Sequence, residues 1–343
     1  MTLLRTTAVC ASVLATLALT SPSSPAIAAD GQDKPSTTTF AVIGDVPYGA
    51  AQIAAFPGWV DRINDQPGLD LAFHVGDIKN GSSLCTDDYN AMIREQFDRF
   101  EMPLLYTPGD NEWTDCHRPA AGAYNPLERL DAVRATFYET PGLTLGEPLK
   151  VASQAAIGFP ENQSLRTRGI EMATLHVVGS NNDRAPWAGL GLTAPTAGQL
   201  AEENARMTAA IDLVEDTFAS ARQTNARAVA IFQQADMFDP SYQPTWDLSA
   251  FQPLVQSLVD EASTYDGEVY LFDGDSHVYN VDHPLAAGSR WLGIHGVQGS
   301  ADNLTRITVD GEANNTNFLQ VTVNRPGADE VLSWERVPYD SQP

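Results

Sequence analysis

Four short apolar runs in this chain end in the same pair, Gly-Asp. They close on Asp45, Asp77, Asp110 and Asp275, and no other Gly-Asp pair occurs in the sequence. Each run is rich in β-branched or aromatic residues and reads as a buried strand. Glycine allows a sharp exit from a sheet. The aspartate after it then falls at the carboxyl end of a strand, where open α/β sheets bind ligands. Four carboxylates converging on one rim repel each other, and a multivalent cation is the simplest partner that holds them there. Asp45, Asp77 and Asp110 are spaced by 32 and 33 residues, one strand–helix unit each. Downstream, Gln233 and Gln234 end a further apolar run, and His277 stands two residues after Asp275. Ligands drawn from several strand ends suit a pair of cations about 3.5–4 Å apart that share a carboxylate, activate water and clamp a phosphoryl group.

In motif order and spacing, nearly the whole chain beyond its amino-terminal segment resembles the calcineurin-like metallophosphoesterase superfamily, which includes the purple acid phosphatases. The superfamily's motifs run Asp-x-His, Gly-Asp-x-x, Gly-Asn-His-Asp/Glu, a strand-end His, and Gly-His-x-His. Here those places hold Asp45-Val46-Pro47, Gly76-Asp77-Ile78-Lys79-Asn80, Gly109-Asp110-Asn111-Glu112, Gln233 or Gln234, and Gly274-Asp275-Ser276-His277. The resemblance implies two packed mixed β-sheets flanked by helices, a four-layer α/β/β/α sandwich, with a dinuclear metal site. Carried over by position, one cation takes Asp45, Asp77 and His277. The other takes Asp77 as bridge, with Asp110, Gln233 or Gln234, and Asp275.

The departures from that pattern shape the expected chemistry. Pro47 stands where a ligating His is usual, and Asn80 where purple acid phosphatases place a Tyr ligand. Asp110 replaces an Asn ligand, a Gln and Asp275 replace His ligands, and Asn111 replaces the His that assists the leaving group. The donor set is almost all oxygen, which favours Mg²⁺, Mn²⁺ or Ca²⁺ over Zn²⁺, with iron admissible. Asn111 cannot donate a proton as imidazolium can, but its amide can hydrogen-bond a phosphoryl oxygen. It is the candidate catalytic residue and, with Asn80, a candidate substrate-binding residue. Loss of a general acid costs about 10²- to 10⁴-fold, so anhydrides, aryl esters and activated diesters are the expected substrates.

Taken singly, each of these residues has a plainer reading. Asp is a common turn residue, and a glutamine leaving a strand often satisfies backbone groups. Side chains alternate along a strand, so only one of Gln233 and Gln234 can face the rim. Of the six histidines, His277 occupies a motif position, while His74 and His176 lie in apolar runs and read as core. His117 and His295 fall in or near loops and are candidates for the missing acid. Tyr48, Trp113, Tyr124 and Trp187 would lie near the rim, to stack on a substrate or to be buried under the loops. A second function class, from the loss of histidines, is a non-catalytic descendant of the same fold that keeps one structural cation and acts as a binding module.

The elements that must position these residues follow a βαβα order. Strands are expected over 39–44, 70–75 and 103–107, with helices within 50–66 and near 87–99 and 127–138. Strands are expected again over 149–158 and 170–178. Leu200, Met207, Ile211, Val214 and Phe218 mark one face of a helix across 196–222. A strand over 227–232, a helix near 248–264 and a strand over 268–273 follow, then β segments at 291–297, 304–309, 317–323 and 330–337. One domain over 39–338 is expected, with a polar leader at 29–38 and a tail at 339–343. Arg5, the apolar run from Ala8 to Leu19 and Ala26-Ile27-Ala28 read as a cleavable signal peptide over 1–28, so a secreted protein is expected. Cys85 and Cys116 lie a few residues past Asp77 and Asp110. If those strands are neighbours, their loops leave the sheet together and the two cysteines pair in an oxidising compartment.

The formal charge is −24, from 44 acidic against 20 basic residues. Such a balance repels nucleic acid and anionic membranes and leaves a small phosphorylated substrate as the expected partner. Nothing in the sequence sets an oligomeric state.

Overall fold

The computed structural model describes residues 38–340. The segment expected as a signal peptide, nearly all of the expected leader and the last three residues lie outside them.

Thirteen strands form two mixed sheets among the described residues. The first holds β1 (Thr38–Ile43), β2 (Leu69–His74), β3 (Pro103–Tyr106), β4 (Leu145–Gly146), β12 (Asn317–Val323) and β13 (Leu332–Pro338), in the order β13-β12-β1-β2-β3-β4. The second holds β5 (Ala152–Gln154), β6 (Phe159–Thr167), β7 (Ile170–Thr174), β8 (Ala228–Phe232), β9 (Glu268–Asp273), β10 (Asn280–Asp282) and β11 (Leu304–Thr308), in the order β10-β11-β9-β8-β7-β6-β5. β1, β2 and β3 run parallel, as do β7, β8, β9 and β11.

Period-two alternation assigns each strand two faces. Phe40, Val42, Phe73 and Leu105 point between the sheets and meet Met172, Ala230, Phe232, Phe272 and Ile307. Phe73 stacks on Phe232 with ring centroids 3.8 Å apart, and Phe232 on Phe272 at 4.8 Å. The alternate residues, Ala41, Ile43, Ala72 and Leu104, face helices Gly49–Asn64, Asp87–Phe97 and Pro126–Phe137. On the far side, helices Ala197–Thr224 and Gln252–Ser263 cover the second sheet through Met207, Val214, Phe218, Leu254 and Leu258. The expected helix–sheet–sheet–helix layering is therefore present. No described helix is long and apolar enough to cross a membrane.

Three expectations are corrected. The segment expected as a strand over 291–297 is the helix Arg290–His295, capped by the Ser289 hydroxyl accepting from the Trp291 amide. Trp291 and His295, four apart, are buried while Gly293 between them is exposed, a helical pattern, since a strand would turn all three to one face. The strand expected over 149–158 is only Ala152–Gln154, and the longer strand Phe159–Thr167 follows it. The run 170–178 leaves the sheet at Thr174, and the chain then turns back over the strand ends.

Candidate metal centre

Strands from both sheets release their acidic ends at one rim. Asp45 follows β1 and donates its amide to the Gly76 carbonyl at 2.9 Å. Asp77 follows β2 and Asp110 follows β3, while Gln234 and Asp275 come from β8 and β9 of the other sheet. Asp45, Asp77, Asp275 and His277 all have left-handed backbone, with φ of 54°, 58°, 66° and 62°. Each such residue costs roughly 1–2 kcal/mol relative to the right-handed form, and strain of this kind clusters at functional sites. Gly76 makes the expected sharp turn at φ 96°. Gly109 serves space instead, because a Cβ there would fall on the Asp77 carboxylate.

Two groups of ligand atoms result. Asp45, Asp77 and His277 offer atoms within 4.8 Å of one another, and so do Asp77, Asp110 and Asp275. Asp77 belongs to both. His277 Nε2 lies 3.3 Å from Asp45 Oδ1, and its Nδ1 lies 3.2 Å from Glu312. The Asp275 amide donates to both Asp45 oxygens at 3.1 Å. Among the described residues no lysine or arginine pairs with Asp45, Asp77, Asp110 or Asp275, and Asp45 and Asp77 are buried. Burial pushes the Asp77 and Asp275 carboxyls well above the carboxylate range, reinforced by Asp110 and the other acids. Burial also raises Asp45, against the pull of His277. His277 is itself raised, because Asp45 and Glu312 outweigh its desolvation. Buried, mutually repelling oxygens with one imidazole fit one or two hard divalent cations.

The amides divide in two. Gln234 Nε2 donates to Asp77 Oδ2 at 3.2 Å and Asp110 Oδ1 at 3.4 Å, and its Oε1 accepts from the Gly179 amide at 2.7 Å. Gln233, kept as an alternative ligand, turns the other way to donate to the Ala235 carbonyl, as strand alternation requires. Asn111 Nδ2 donates to Asp77 Oδ2 at 2.8 Å and to Tyr48 Oη at 2.9 Å. Asn80 makes its side-chain hydrogen bonds locally. Its carboxamide oxygen accepts from the Ser82 amide and hydroxyl and from the Ser83 hydroxyl, closing its own turn.

Several site residues escaped the sequence reading. Tyr48, expected near the rim either to stack on a substrate or to be buried under the loops, is buried, donates its hydroxyl to Asp77 Oδ2 at 3.0 Å and packs edge-on to His277. Its place three residues after Asp45 was the available signal. Ser180 donates to Asp110 at 2.7 Å and to Asp115 at 3.1 Å. It opens a left-handed turn, Ser180 to Asp183, four consecutive non-glycine residues with φ between 51° and 67°. Gly179, just before it, lies against Asp110 and Asp275 so closely that a Cβ would sit 2.8 Å and 3.0 Å from their oxygens. Asp115 is buried, and desolvation with repulsion from Asp110 raises it to about 8 despite Arg118. Nothing local in the sequence announces Ser180, Asp115 or Glu312.

The remaining candidates fall elsewhere. Cys85 and Cys116 form a disulfide with Cα atoms 5.9 Å apart, tying the loops after β2 and β3. His74 is core, its Nε2 facing the Val46 carbonyl at 2.9 Å, and burial lowers it to about 4. His176 is also buried, held between Glu161 and Trp113. His295 faces the Met237 carbonyl against Phe238 and Trp291, away from the acids. His117 accepts from the Gly189 amide. Trp113 and Trp187 are buried under the loops, and Tyr124 lies under Arg129.

No family model and no curated protein matches the sequence. Solved structures similar to the chain include GAP50, the anchor in the inner membrane complex of Plasmodium, at 10% identity over 89% of this chain and 85% of that one, with a TM-score of 0.48. A purple acid phosphatase, PPD1 from yellow lupin, is 13% identical over 90% of this chain and 53% of its own, with a TM-score of 0.45. A 5'-nucleotidase precursor from Thermus thermophilus is 9% identical over 88% of this chain and 54% of its own, also at 0.45. This chain thus spans about half the length of the last two. The likeness is one of fold alone.

Proposed function

We propose that this chain is a secreted, metal-dependent phosphoester hydrolase. The observation that carries the reading is the sharing of Asp77 between two ligand groups, the arrangement a bridging carboxylate needs. Asp45 and His277 would complete one cation's set, and Asp110, Asp275 and the Gln234 amide would line the other. Bound there, two cations supply an activated water and neutralise charge developing on phosphorus. Asn111 and Tyr48 hold the Asp77 oxygen that faces them, and the Asn111 amide is the donor best placed to steady a phosphoryl oxygen. The small phosphorylated substrate and the preference of a mostly oxygen donor set for Mg²⁺, Mn²⁺ or Ca²⁺ remain parts of this proposal. Secretion is supported by the disulfide and by the amino-terminal signal pattern.

Metal analysis of freshly purified protein should find two divalent equivalents. With Mn²⁺ or Mg²⁺ it should hydrolyse an aryl phosphate, and Asp77→Ala should lose both metal and turnover. Absence of hydrolysis of aryl mono- and diesters, unaltered by Asp77→Ala, overturns the reading. A second reading, a non-catalytic binding module, is favoured by one feature. Asp77 Oδ2 already accepts from Tyr48, Asn111 and Gln234, which satisfies it without an ion. That reading expects at most one equivalent of metal and no turnover.

A further inference from the structure

His277 is the one imidazole in the two ligand groups. Its two nitrogens look in different directions. Nε2 faces the carboxylates, 3.3 Å from Asp45 Oδ1, inside the group that Asp77 also enters. Nδ1 faces Glu312, 3.2 Å from its Oε2. Neither ligand group uses Glu312.

Glu312 is brought to the ring by its backbone rather than by burial. Its side chain is 54% exposed, yet its backbone is left-handed at φ 45°. That conformation is unfavourable for a residue with a side chain, and it gathers at functional sites. The loop after β11 that carries it grips both Asp45 and His277. The Glu312 amide donates to the Asp45 carbonyl at 3.0 Å, and the Gly311 amide donates to the His277 carbonyl at 3.1 Å. The Asn314 carboxamide donates to the same His277 carbonyl at 3.0 Å. Gly311 serves close approach, because a Cβ there would strike the Asp45 side chain. The Gln52 carboxamide donates to the Glu312 carbonyl from the opposite side of the loop. One loop thus fixes two ligands and delivers a carboxylate to the outer nitrogen of the ring.

A neutral imidazole carries its proton on one nitrogen and a lone pair on the other. A cation among Asp45, Asp77 and His277 needs the lone pair on Nε2. The proton then sits on Nδ1, where an acceptor must wait. A carboxylate in that place fixes the tautomer and the ring orientation of a ligating histidine and raises its basicity. With Glu312 gone, Asp45 Oδ1 would be the acceptor left to the ring, and it would draw the proton to the nitrogen the cation needs.

We propose that Glu312 is the positioning residue for a cation at His277. Its carboxylate takes the Nδ1 proton, keeps Nε2 bare and holds the ring turned toward Asp45 and Asp77. This deepens the hydrolase reading and rests on it only for the presence of a cation at His277.

Two measurements on the purified chain test the role. Nitrogen-15 NMR of labelled histidine, on metal-free protein at a pH where the ring is neutral, reads which nitrogen carries the proton, and His277→Gln assigns the signal. Calorimetric Mn²⁺ titration reads the two equivalents, with aryl phosphate turnover measured on the same samples. Glu312→Ala should move the proton from Nδ1 toward Nε2 and weaken one Mn²⁺ equivalent by about tenfold or more. The other equivalent, lined by Asp110 and Asp275, should be largely unchanged. Glu312→Gln keeps the shape and an acceptor for the Nδ1 proton while losing the charge. It should keep the wild-type tautomer and recover part of the affinity, which separates the role from any loop distortion in Glu312→Ala. Glu261→Gln, which removes an acid paired with Arg222 between the helices of the far layer, should change neither measurement. The role is overturned if Glu312→Ala keeps the wild-type tautomer or both Mn²⁺ affinities. It is equally overturned if Glu312→Gln loses as much as Glu312→Ala, or if the chain binds no Mn²⁺. Aryl phosphate turnover with a Glu312-independent tautomer and affinity keeps the hydrolase and removes the role. A Glu312-dependent tautomer and Mn²⁺ affinity without turnover keeps the role and removes the hydrolase.

Discussion

Asp77 is the residue on which the site turns. Its carboxylate is buried among Asp110, Glu112, Asp45 and Asp275, all of which disfavour its charge. Burial among like charges disfavours its ionised form, and under the proposed function a cation would relieve that cost with Asp77 as the shared ligand. Asp77→Asn keeps an oxygen to accept from Tyr48, Asn111 and Gln234 while removing the charge. In chelator-treated protein it should therefore hold or raise the melting temperature, whereas the rise that Mn²⁺ gives wild type should disappear. Scanning calorimetry with and without Mn²⁺ reads both. A fall in the metal-free melting temperature, with the Mn²⁺ response retained, contradicts the assignment. At this scale much was legible. Asp45, Asp77, Asp110, Asp275 and His277 each carry a sequence signal, because a Gly-Asp after a buried strand is a local pattern. Tyr48 was half legible. Ser180, Asp115 and Glu312 were not, since what places them is the approach of one loop to another.

The loops that carry these residues are braced by buried polar elements behind the rim. The segment after β3 is anchored by Trp113, whose indole donates to His176 Nε2 at 3.1 Å, while His176 Nδ1 faces Glu161 at 2.7 Å. Arg134 from helix Pro126–Phe137 also binds Glu161, at 2.6 Å. Burial alone would raise Glu161, but His176 and Arg134 outweigh it and hold the carboxyl down to about 2. Between the ordinary value of 4.5 and about 2, the unfolded chain binds a proton that the folded chain does not. The stabilisation from Glu161 is thus complete above that window and is lost as pH falls through it. Glu161→Gln should destabilise the protein by about 3–5 kcal/mol at neutral pH, as expected for breaking a buried pair. The gap to wild type should narrow as pH drops from about 4.5 toward 2, measured by denaturant unfolding at each pH. A gap that stays constant across that range refutes the account. His176 was read correctly as a core residue from its apolar run, but its partners lie on three separate elements and have no sequence periodicity.

Across the described molecule, the rim exists because two sheets pack face to face with their parallel strand ends together. Phe73, Phe232 and Phe272 form the stacked contact between them. Phe232→Ala removes a fully buried ring and should cost about 3–5 kcal/mol. Because β8 leads straight into Gln234, and β9 beside it into Asp275, the same change should weaken Mn²⁺ binding at a distance from every ligand. Urea unfolding and Mn²⁺ titration check the two effects, and a stability loss with unchanged Mn²⁺ affinity would detach the packing from the site. Most of the strands, the long helices and the acidic strand ends were determined by the sequence itself, because hydrophobic period and Gly-Asp punctuation act over a few residues. Whether Gln233 or Gln234 faces the rim, how the Ser180 turn closes it, and that Glu312 stands beside His277 were decided only in three dimensions. Those relations join residues tens to hundreds of positions apart, and the energy that selects them comes from sheet-on-sheet packing and buried charge rather than from any local preference.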